Sequence, residues 1–407
     1  MKLLIILSLL LTINTLHSQD LYIKNVRIFD GNNERIIDGS AIKIKGRTIE
    51  WMGKQPAEDP DGYEVIDGLG YYLMPGMIDA HTHINTLEGA ERALHSGVTT
   101  VRSASTKGYQ DVSLGNLSRK GLIPGPDFVS AGIYVTPNLG ETVLADPRLS
   151  SLIEGVHTEE MLRLLVKINA DRGANVIKTR GTERAGLPET DPRQQTYTVE
   201  QLGIVIDEAA KYNLKVMVHA HGDEGARAAV EAGAVSIEHG TFLSRETLTM
   251  MKSKGVFLVP TIITVEDLKI PGGEYSNPTL ELRGKFMLAE AEQTFKDALD
   301  IGVKMATGAD NYYTAESTTR VSLEAEHFVR LGMTRLQALQ AATKNGAELL
   351  ALADQTGTIT TGKEADLILL PKNPLEDIMA LQDVLLVISN GQIALKRIPF
   401  EVLGDQD

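Results

Sequence analysis

Two histidines one residue apart, His81 and His83, close an apolar stretch that reads Leu-Met-Pro-Gly-Met-Ile-Asp-Ala-His-Thr-His-Ile from Leu73 to Ile84. Strand side chains alternate faces, so residues i and i+2 point the same way and both imidazoles can grip one metal ion. Taken alone, the pair would also suit a surface strand. Three more histidines, His219, His221 and His239, fall at the C-terminal ends of other expected strands. Asp310 ends another, in Ala-Thr-Gly-Ala-Asp-Asn from Ala306 to Asn311. Lys178 lies inside a strand, where a charged amine is disfavoured.

Imidazole and carboxylate ligands together suit zinc. A buried lysine has a depressed pKa, and its neutral amine reacts with carbon dioxide. The resulting carbamate is a two-oxygen anion able to span two Zn2+ ions. A hydroxide bridging them, from water whose pKa falls to about 7, would be the nucleophile, and Asp310 would bind one metal and take the proton. A salt-bridged Lys178 that binds no carbon dioxide would instead leave a single-metal site. His219 and His221 share a face, so either can be the ligand. With His219 in that role, His221 lies nearer the mouth and polarises the substrate carbonyl. The plainer readings are His239 as a core histidine and Asp310 as a helix N-cap. Glu238 is expected to face away from the site. His95, His157 and His327 fall in helical or loop stretches and carry no assigned role.

These side chains need a frame. From about Pro75 to Leu352, apolar strands alternate with helical stretches. The strands after the first are expected at Thr99–Ala104, Asp127–Thr136, Asn175–Thr179, Lys215–His221, Val235–His239, Val256–Thr264 and Val303–Gly308. Amphipathic segments such as Glu159–Asn169, Val199–Tyr212 and Asp223–Ala232 lie between them, and a helix of roughly 18 residues follows Thr334. Eight strands with intervening helices fit an α/β fold, a (β/α)8 TIM barrel over residues 75–354, whose chemistry sits at the strand C-termini. Residues 19–74 and 355–407 carry strand texture, with turns at Asp30-Gly31 and Lys45-Gly46 and a hairpin about Asn390-Gly391. The two ends are expected to pair into one small β-sandwich domain. Ile270 to Pro278, with two Pro and two Gly, reads as a mobile loop over the barrel mouth.

The chain has 407 residues, 43% of them hydrophobic and 23% charged, enough for one large barrel and a satellite. A formal charge of −14 argues against nucleic acid or an anionic membrane as partner. With no cysteine, disulfides and thiolate ligands are excluded. Residues 1–18 read as a signal peptide: Lys2, an apolar run from Leu3 to Leu11, then a polar end with a cut expected near Gln19. The run is short for a membrane span. A secreted or periplasmic protein with a small-molecule substrate is the expectation, with homo-oligomerisation left open.

Met-Pro-Gly-Met-Ile-Asp-Ala-His-Thr-His from Met74, Ile177-Lys178, Val-His-Ala-His-Gly from Val218, Ile-Glu-His-Gly from Ile237 and Thr-Gly-Ala-Asp from Thr307 resemble the amidohydrolase superfamily. Gly-Thr-Ile-Thr-Thr-Gly-Lys-Glu-Ala-Asp-Leu from Gly357 resembles its C-terminal β segment. The branch most similar is that of imidazolonepropionase-like and prolidase-like hydrolases. The resemblance implies a binuclear zinc site bridged by a carboxylated lysine. His81, His83 and Asp310 would hold the more buried ion, His219 and His239 the other, and Lys178 would bridge them. The chain departs from the branch in two places. No histidine follows the third strand, where Ile-Tyr-Val-Thr-Pro-Asn-Leu-Gly runs from Ile133, and no tyrosine follows Val259-Pro260-Thr261. Arg180 shares the parity of Lys178 and is a clamp for a substrate carboxylate, or else a partner of Glu183. Tyr134, Tyr312 and Tyr313 are further pocket residues. The expected activity is hydrolysis of a C–N amide bond in a dipeptide, N-acyl amino acid or cyclic amide. An esterase or lactonase would use the same parts, and a metal-retaining solute-binding barrel without turnover is the alternative from another class.

Overall fold

The computed structural model describes residues 20–270 and 277–398. The segment expected to be a signal peptide and most of the Ile270–Pro278 loop lie outside them. The first strands are β1 (Leu21–Phe29), β2 (Ile36–Lys45), β3 (Thr48–Lys54), β4 (Glu64–Asp67) and β5 (Tyr72–Pro75), and the last are β13 (Leu367–Leu370), β14 (Leu386–Ser389) and β15 (Gln392–Lys396). The two ends meet where β13 pairs antiparallel with β5, Ile368 opposite Met74. Hydrogen bonding joins all eight strands into one sheet, in the order β15-β14-β13-β5-β1-β2-β3 with β4 on β1. Ile23, Ile28, Ile42, Ile44, Leu73, Leu367, Leu369 and Ile388 give it a core of its own. Asn390 and Gly391, both at positive φ, turn the last hairpin as a two-residue loop requires.

The middle of the chain is α/β. Parallel strands β6 (Met77–Thr82), β7 (Val98–Ser103) and β8 (Asp127–Val129) form one sheet, and β9 (Val176–Arg180), β10 (Lys215–Gly222), β11 (Ser236–Phe242) and β12 (Phe257–Val259) form a second. Every residue of β6, β7 and β9 is buried, as expected of parallel strands covered on both faces. Helices α1 (Leu87–His95), α2 (Gln110–Arg119), α3 (Glu159–Asp171), α4 (Val199–Ala210), α5 (Asp223–Ala232), α6 (Arg245–Lys254), α7 (Ile262–Leu268) and α8 (Pro278–Ile301) alternate with them, and α9 (Val321–Arg330), α10 (Arg335–Ala341) and α11 (Lys344–Leu349) follow. Side chains cap several starts: Thr198 with Gln201 and Thr334 with Gln337 form reciprocal capping boxes. Among the described residues, no helix is long and apolar enough to cross a membrane.

Four expected elements are corrected, the strand at Val303–Gly308 among them. The strand expected at Asp127–Thr136 stops at Val129, because the next amides turn to side chains: Gly132 N–H donates to Asp111 and Ile133 N–H to Asn169. Pairing resumes in a single bridge, Val135 to Thr179. The strand expected at Val256–Thr264 ends at Val259, and the β-branched residues Ile262, Ile263 and Thr264 open α7 instead. The buried Glu324 carboxylate, on α9, accepts from the amides of Ile262 and Ile263 at 3.1 and 3.0 Å and so caps that helix from a distance. The long helix after Thr334 breaks at Thr343, whose backbone leaves the helical region, and Gly346 beyond the break packs directly on Ile78.

Residues 303–310 form no regular strand, yet they bond to both neighbours. Ala306 N–H donates to Leu258 O, Ala80 N–H to Thr307 O and Asp310 N–H to His81 O. Asp79 adds a side-chain tie, accepting from Ala309 N–H and from Tyr313 Oη at 2.8 Å. These bonds fix the position of Asp310 relative to His81.

The exit of β9 and the start of α5 touch backbone to backbone. A methyl added at Gly225 would stand 2.3 Å from the Gly181 carbonyl oxygen. Gly225→Ala is therefore expected to cost about 1–3 kcal/mol of stability in denaturant unfolding. Gly203→Ala, in α4 with nothing within 4 Å of the new methyl, is expected to be neutral or stabilising by up to about 1 kcal/mol.

Candidate metal centre

The structure brings all seven sequence-derived residues to one place. His81 ends β6, with His83 just beyond it. Lys178 lies in β9, His219 and His221 in β10, His239 in β11, and Asp310 in the segment that bonds to β6. They form two groups, His81–His83–Asp310 and His219–His221–His239, each with potential ligand atoms within 4.8 Å of one another. Asp310 Oδ1 is 3.4 Å from His81 Nε2 and 3.2 Å from His83 Nε2. Tetrahedral zinc with bonds of about 2.0–2.2 Å spaces its ligand atoms roughly 3.3–3.5 Å apart, so the first group has the right size. The groups adjoin, with ring centroids 4.9 Å apart for His81 and His239.

Each imidazole is held by one nitrogen. His81 Nδ1 lies 2.7 Å from Glu238 Oε2, His83 Nδ1 2.9 Å from the Ser105 carbonyl, His221 Nδ1 2.8 Å from Thr241 Oγ1 and His239 Nδ1 2.7 Å from Thr261 Oγ1. His219 is reversed: its Nε2 donates to the Glu183 carbonyl at 3.0 Å, which leaves Nδ1 as its lone-pair nitrogen. Such partners orient a ligand and fix its tautomer. Burial, reinforced by Lys178, lowers His81 to about 4. Burial also lowers His221 to about 3 and holds His219 and His239 well below the usual imidazole value. These four rings are neutral at pH 7, the state a metal requires. Burial would raise Asp310, but His81 and His83 outweigh it and bring the carboxyl down to about 2.

Lys178 Nζ is fully buried and has no hydrogen-bond partner. Burial lowers the amine to about 7 against the opposing pull of Glu238 and Asp310. An unpaired ammonium at this depth would be costly. An orphaned, readily neutral amine beside a His–His–Asp group and a three-histidine group fits a carbamate bridge between two metal ions.

Backbone strain gathers here too. Ser105, His239, Thr261 and Asp310 all have positive φ, which is unfavourable for β-branched Thr261 and uncommon for any residue but glycine. Strain of this kind persists where surrounding structure over-determines it, often at functional sites. It also corrects the reading of Glu238. Register places Glu238 opposite His219, so Glu238 faces inward; His239 joins it on that side because its own φ is 74°. Glu238 Oε1 accepts from Arg102 at 2.9 Å, and Arg102 Nε donates to the Ala80 carbonyl at 2.7 Å. Burial opposes ionisation of Glu238, yet Arg102 and His81 bring it down to about 2.

A cavity of about 450 Å3 opens above the seven residues. Tyr134, Arg180 and Tyr312 line it as expected, and Lys107, Arg184 and Leu268 do so without any sequence signal. Arg180 pairs with Glu183 at 3.0 Å and also faces the cavity. Tyr313 is corrected: it is fully buried on Asp79, away from the pocket. His327 is buried beside Glu266, 3.2 Å away, and the rim of α1 carries His95.

Glu238→Gln leaves Arg102 buried without its charge partner. The substitution is expected to cost about 3–5 kcal/mol in denaturant unfolding and to weaken zinc binding roughly 10–100-fold in a chelator competition. Unchanged stability and affinity would remove Glu238 from this account.

The amidohydrolase family model matches residues 72–394. The chain is 28% identical to the ochratoxinase of Aspergillus niger over 394 residues, covering 84% of this chain and 80% of that one. It is 26% identical to the imidazolonepropionase of Thermoanaerobacter pseudethanolicus over 405 residues, covering 86% and 88%. Among solved structures, a Xaa-Pro dipeptidase with methionine bound in its active site superposes with a TM-score of 0.82 at 28% identity, covering 92% of this chain and 99% of that one. A family match over most of the sequence, on a site with this ligand geometry, makes the protein a member of the amidohydrolase family.

Proposed function

We propose that this protein is an exported, metal-dependent hydrolase that cleaves a C–N amide bond in a small substrate. The observation that carries the reading is the convergence of His81, His83, Lys178, His219, His239 and Asp310 beneath one cavity, with an orphaned amine between two ligand groups. The names of its relatives, a dipeptidase among them, point the same way. We take the parallel strands as a closed (β/α)8 barrel with the site at their C-terminal ends.

His81, His83 and Asp310 would hold one zinc ion, and His219 Nδ1 with His239 Nε2 the other. Carboxylated Lys178 would bridge them. When bound, the pair supplies an acidified water and a Lewis acid for the carbonyl. The protein does the rest. Glu238, Ser105, Thr261 and the Glu183 carbonyl hold the imidazoles in place. Asp310, kept ionised by His81 and His83, accepts a proton at its carboxylate and passes it to the leaving nitrogen. His221, with Nδ1 on the Thr241 hydroxyl, is free to donate from Nε2 to the carbonyl oxygen. Cavity walls from Val265 and Leu268 limit water around the scissile bond. Export rests on the Lys2 and Leu3–Leu11 segment at the start of the chain.

A panel of dipeptides, N-acyl amino acids and cyclic amides tests this on zinc-loaded protein. Turnover of at least one class is expected, with Asp310→Asn slower by roughly 10²–10⁴-fold. Two bound zinc ions with no turnover of any class would favour a solute-binding barrel. The bridge has its own pH signature. Lys178 reacts with carbon dioxide only as the free amine, and with the amine at about 7 its neutral fraction falls about tenfold from pH 8 to pH 6. Bicarbonate-dependent recovery of bound zinc by stripped protein, followed by elemental analysis, is therefore expected to be faster at pH 8. Recovery indifferent to bicarbonate would speak against the carbamate.

A further inference from the structure

One wall of the cavity carries more cationic hydrogen-bonding capacity than the protein satisfies. Arg180 stands two residues beyond Lys178 on β9, on the same face and about 7 Å nearer the mouth. Its guanidinium carbon lies over the Tyr134 ring, 4.9 Å from the centroid. A guanidinium offers five N–H groups. Here Nη1 binds Glu183 Oε2 at 3.0 Å, while Nε is buried with no hydrogen-bond partner. The Tyr134 hydroxyl is buried beside the Arg180 guanidinium. Arg180 Nε and Lys178 Nζ, both buried without a hydrogen-bond partner among the described residues, thus lie on this one wall.

The rim above repeats the pattern. Arg184 is exposed, lines the cavity and makes no ion pair or side-chain hydrogen bond among the described residues. The other cation lining the cavity outside the ligand set, Lys107, is already neutralised by Glu141 at 2.5 Å. The cavity cation without a carboxylate partner is therefore Arg184, and Arg180 beside it is shared between Glu183 and the cavity. This excess is local, because the whole chain carries −14. Glu183 shows that Arg180 takes a carboxylate, here through Nη1 alone, which leaves the rest of the fork for a second one.

We infer that Arg180 and Arg184, backed by Tyr134, form a carboxylate subsite, so that the substrate is an acid: an N-acyl amino acid or dipeptide with a free carboxylate, not a neutral cyclic amide. The inference rests on the amide-hydrolase reading for the bond that is cut, but not for the charge that is bound. The anion meets Arg184 first at the rim and then shares Arg180 with Glu183. That contact holds the adjacent amide over the site between His221 and Asp310.

A matched pair of probes separates charge recognition from turnover. N-acetyl-L-leucine and N-acetyl-L-leucinamide differ in the carboxylate. Calorimetric titration of the zinc-loaded protein is expected to give at least roughly tenfold tighter binding of the acid. Arg180→Met and the exposed Arg184→Ala are each expected to shrink that preference, the second without risk to folding. In hydrolysis, the acid-to-amide ratio of kcat/KM is expected to fall in step, a readout that a purely structural arginine would not move. Equal binding of acid and amide, no measurable binding of the acid, or a preference that survives both substitutions would overturn the subsite. Charge-selective binding without hydrolysis would leave the subsite standing and remove the hydrolase reading, whereas hydrolysis without charge selectivity would do the reverse.

Discussion

One buried carboxylate organises the site. Glu238 accepts from His81 with one oxygen and from Arg102 with the other; Glu238 is 0% exposed and each partner 1%. A charge this deep is sustained only when it is paired and hydrogen-bonded. Arg102 also donates to Ala80, the residue before His81, so the contact ties β6, β7 and β11 together at the point where the first imidazole leaves its strand. Asp79 adds the fourth side by joining β6 to the segment that carries Asp310. His81, Lys178, His219 and His239 are therefore placed by strands, and Asp310, on an irregular segment, by buried backbone and side-chain bonds. That is how a metal site is held to the small tolerances its chemistry requires.

The same arrangement explains why five histidines can crowd together. Rings with centroids 4.6–4.9 Å apart would repel if charged. Burial keeps His81, His219, His221 and His239 neutral, and each has one nitrogen fixed by an oxygen partner. On His81, His219 and His239 the other nitrogens are left to carry the lone pairs. Left-handed backbone at His239, Thr261 and Asp310 is the conformational cost of aiming them, and the packed strands around supply the constraint. Recognition is built differently. Lys107, Tyr134, Arg180 and Arg184 stand at strand exits and on the loops beyond, where substitutions leave the ligand frame intact.

Period-two alternation made much of the site legible. His81 with His83, His219 with His221 and Lys178 with Arg180 each share a strand face, and the structure keeps all three pairs together. Lys178 stood out because an amine among Val176 and Ile177 has no ordinary reason to be there. Glu238 was misread for the complementary reason: alternation counted from His239 points it outward, and only the left-handed turn at His239 puts both residues inside. The α7 segment reads as strand from Ile262, Ile263 and Thr264, yet Glu324, some sixty residues later, supplies the acceptors that start a helix. Arg184 and Lys107 gave no signal, since loop residues follow no period. The terminal strands were readable from texture and from Asn390-Gly391, but their union into one sheet through β5 depends on pairing between distant segments.

The central claim is that His81, His83, Lys178, His219, His239 and Asp310 together hold two ions. Anomalous diffraction at the zinc edge from crystals of zinc-loaded protein tests it most directly. Two peaks are expected, one among His81, His83 and Asp310 and one beside His219 and His239, with continuous density from Lys178 Nζ reaching both. A single peak with bare lysine density, or zinc bound elsewhere on the protein, would contradict the account.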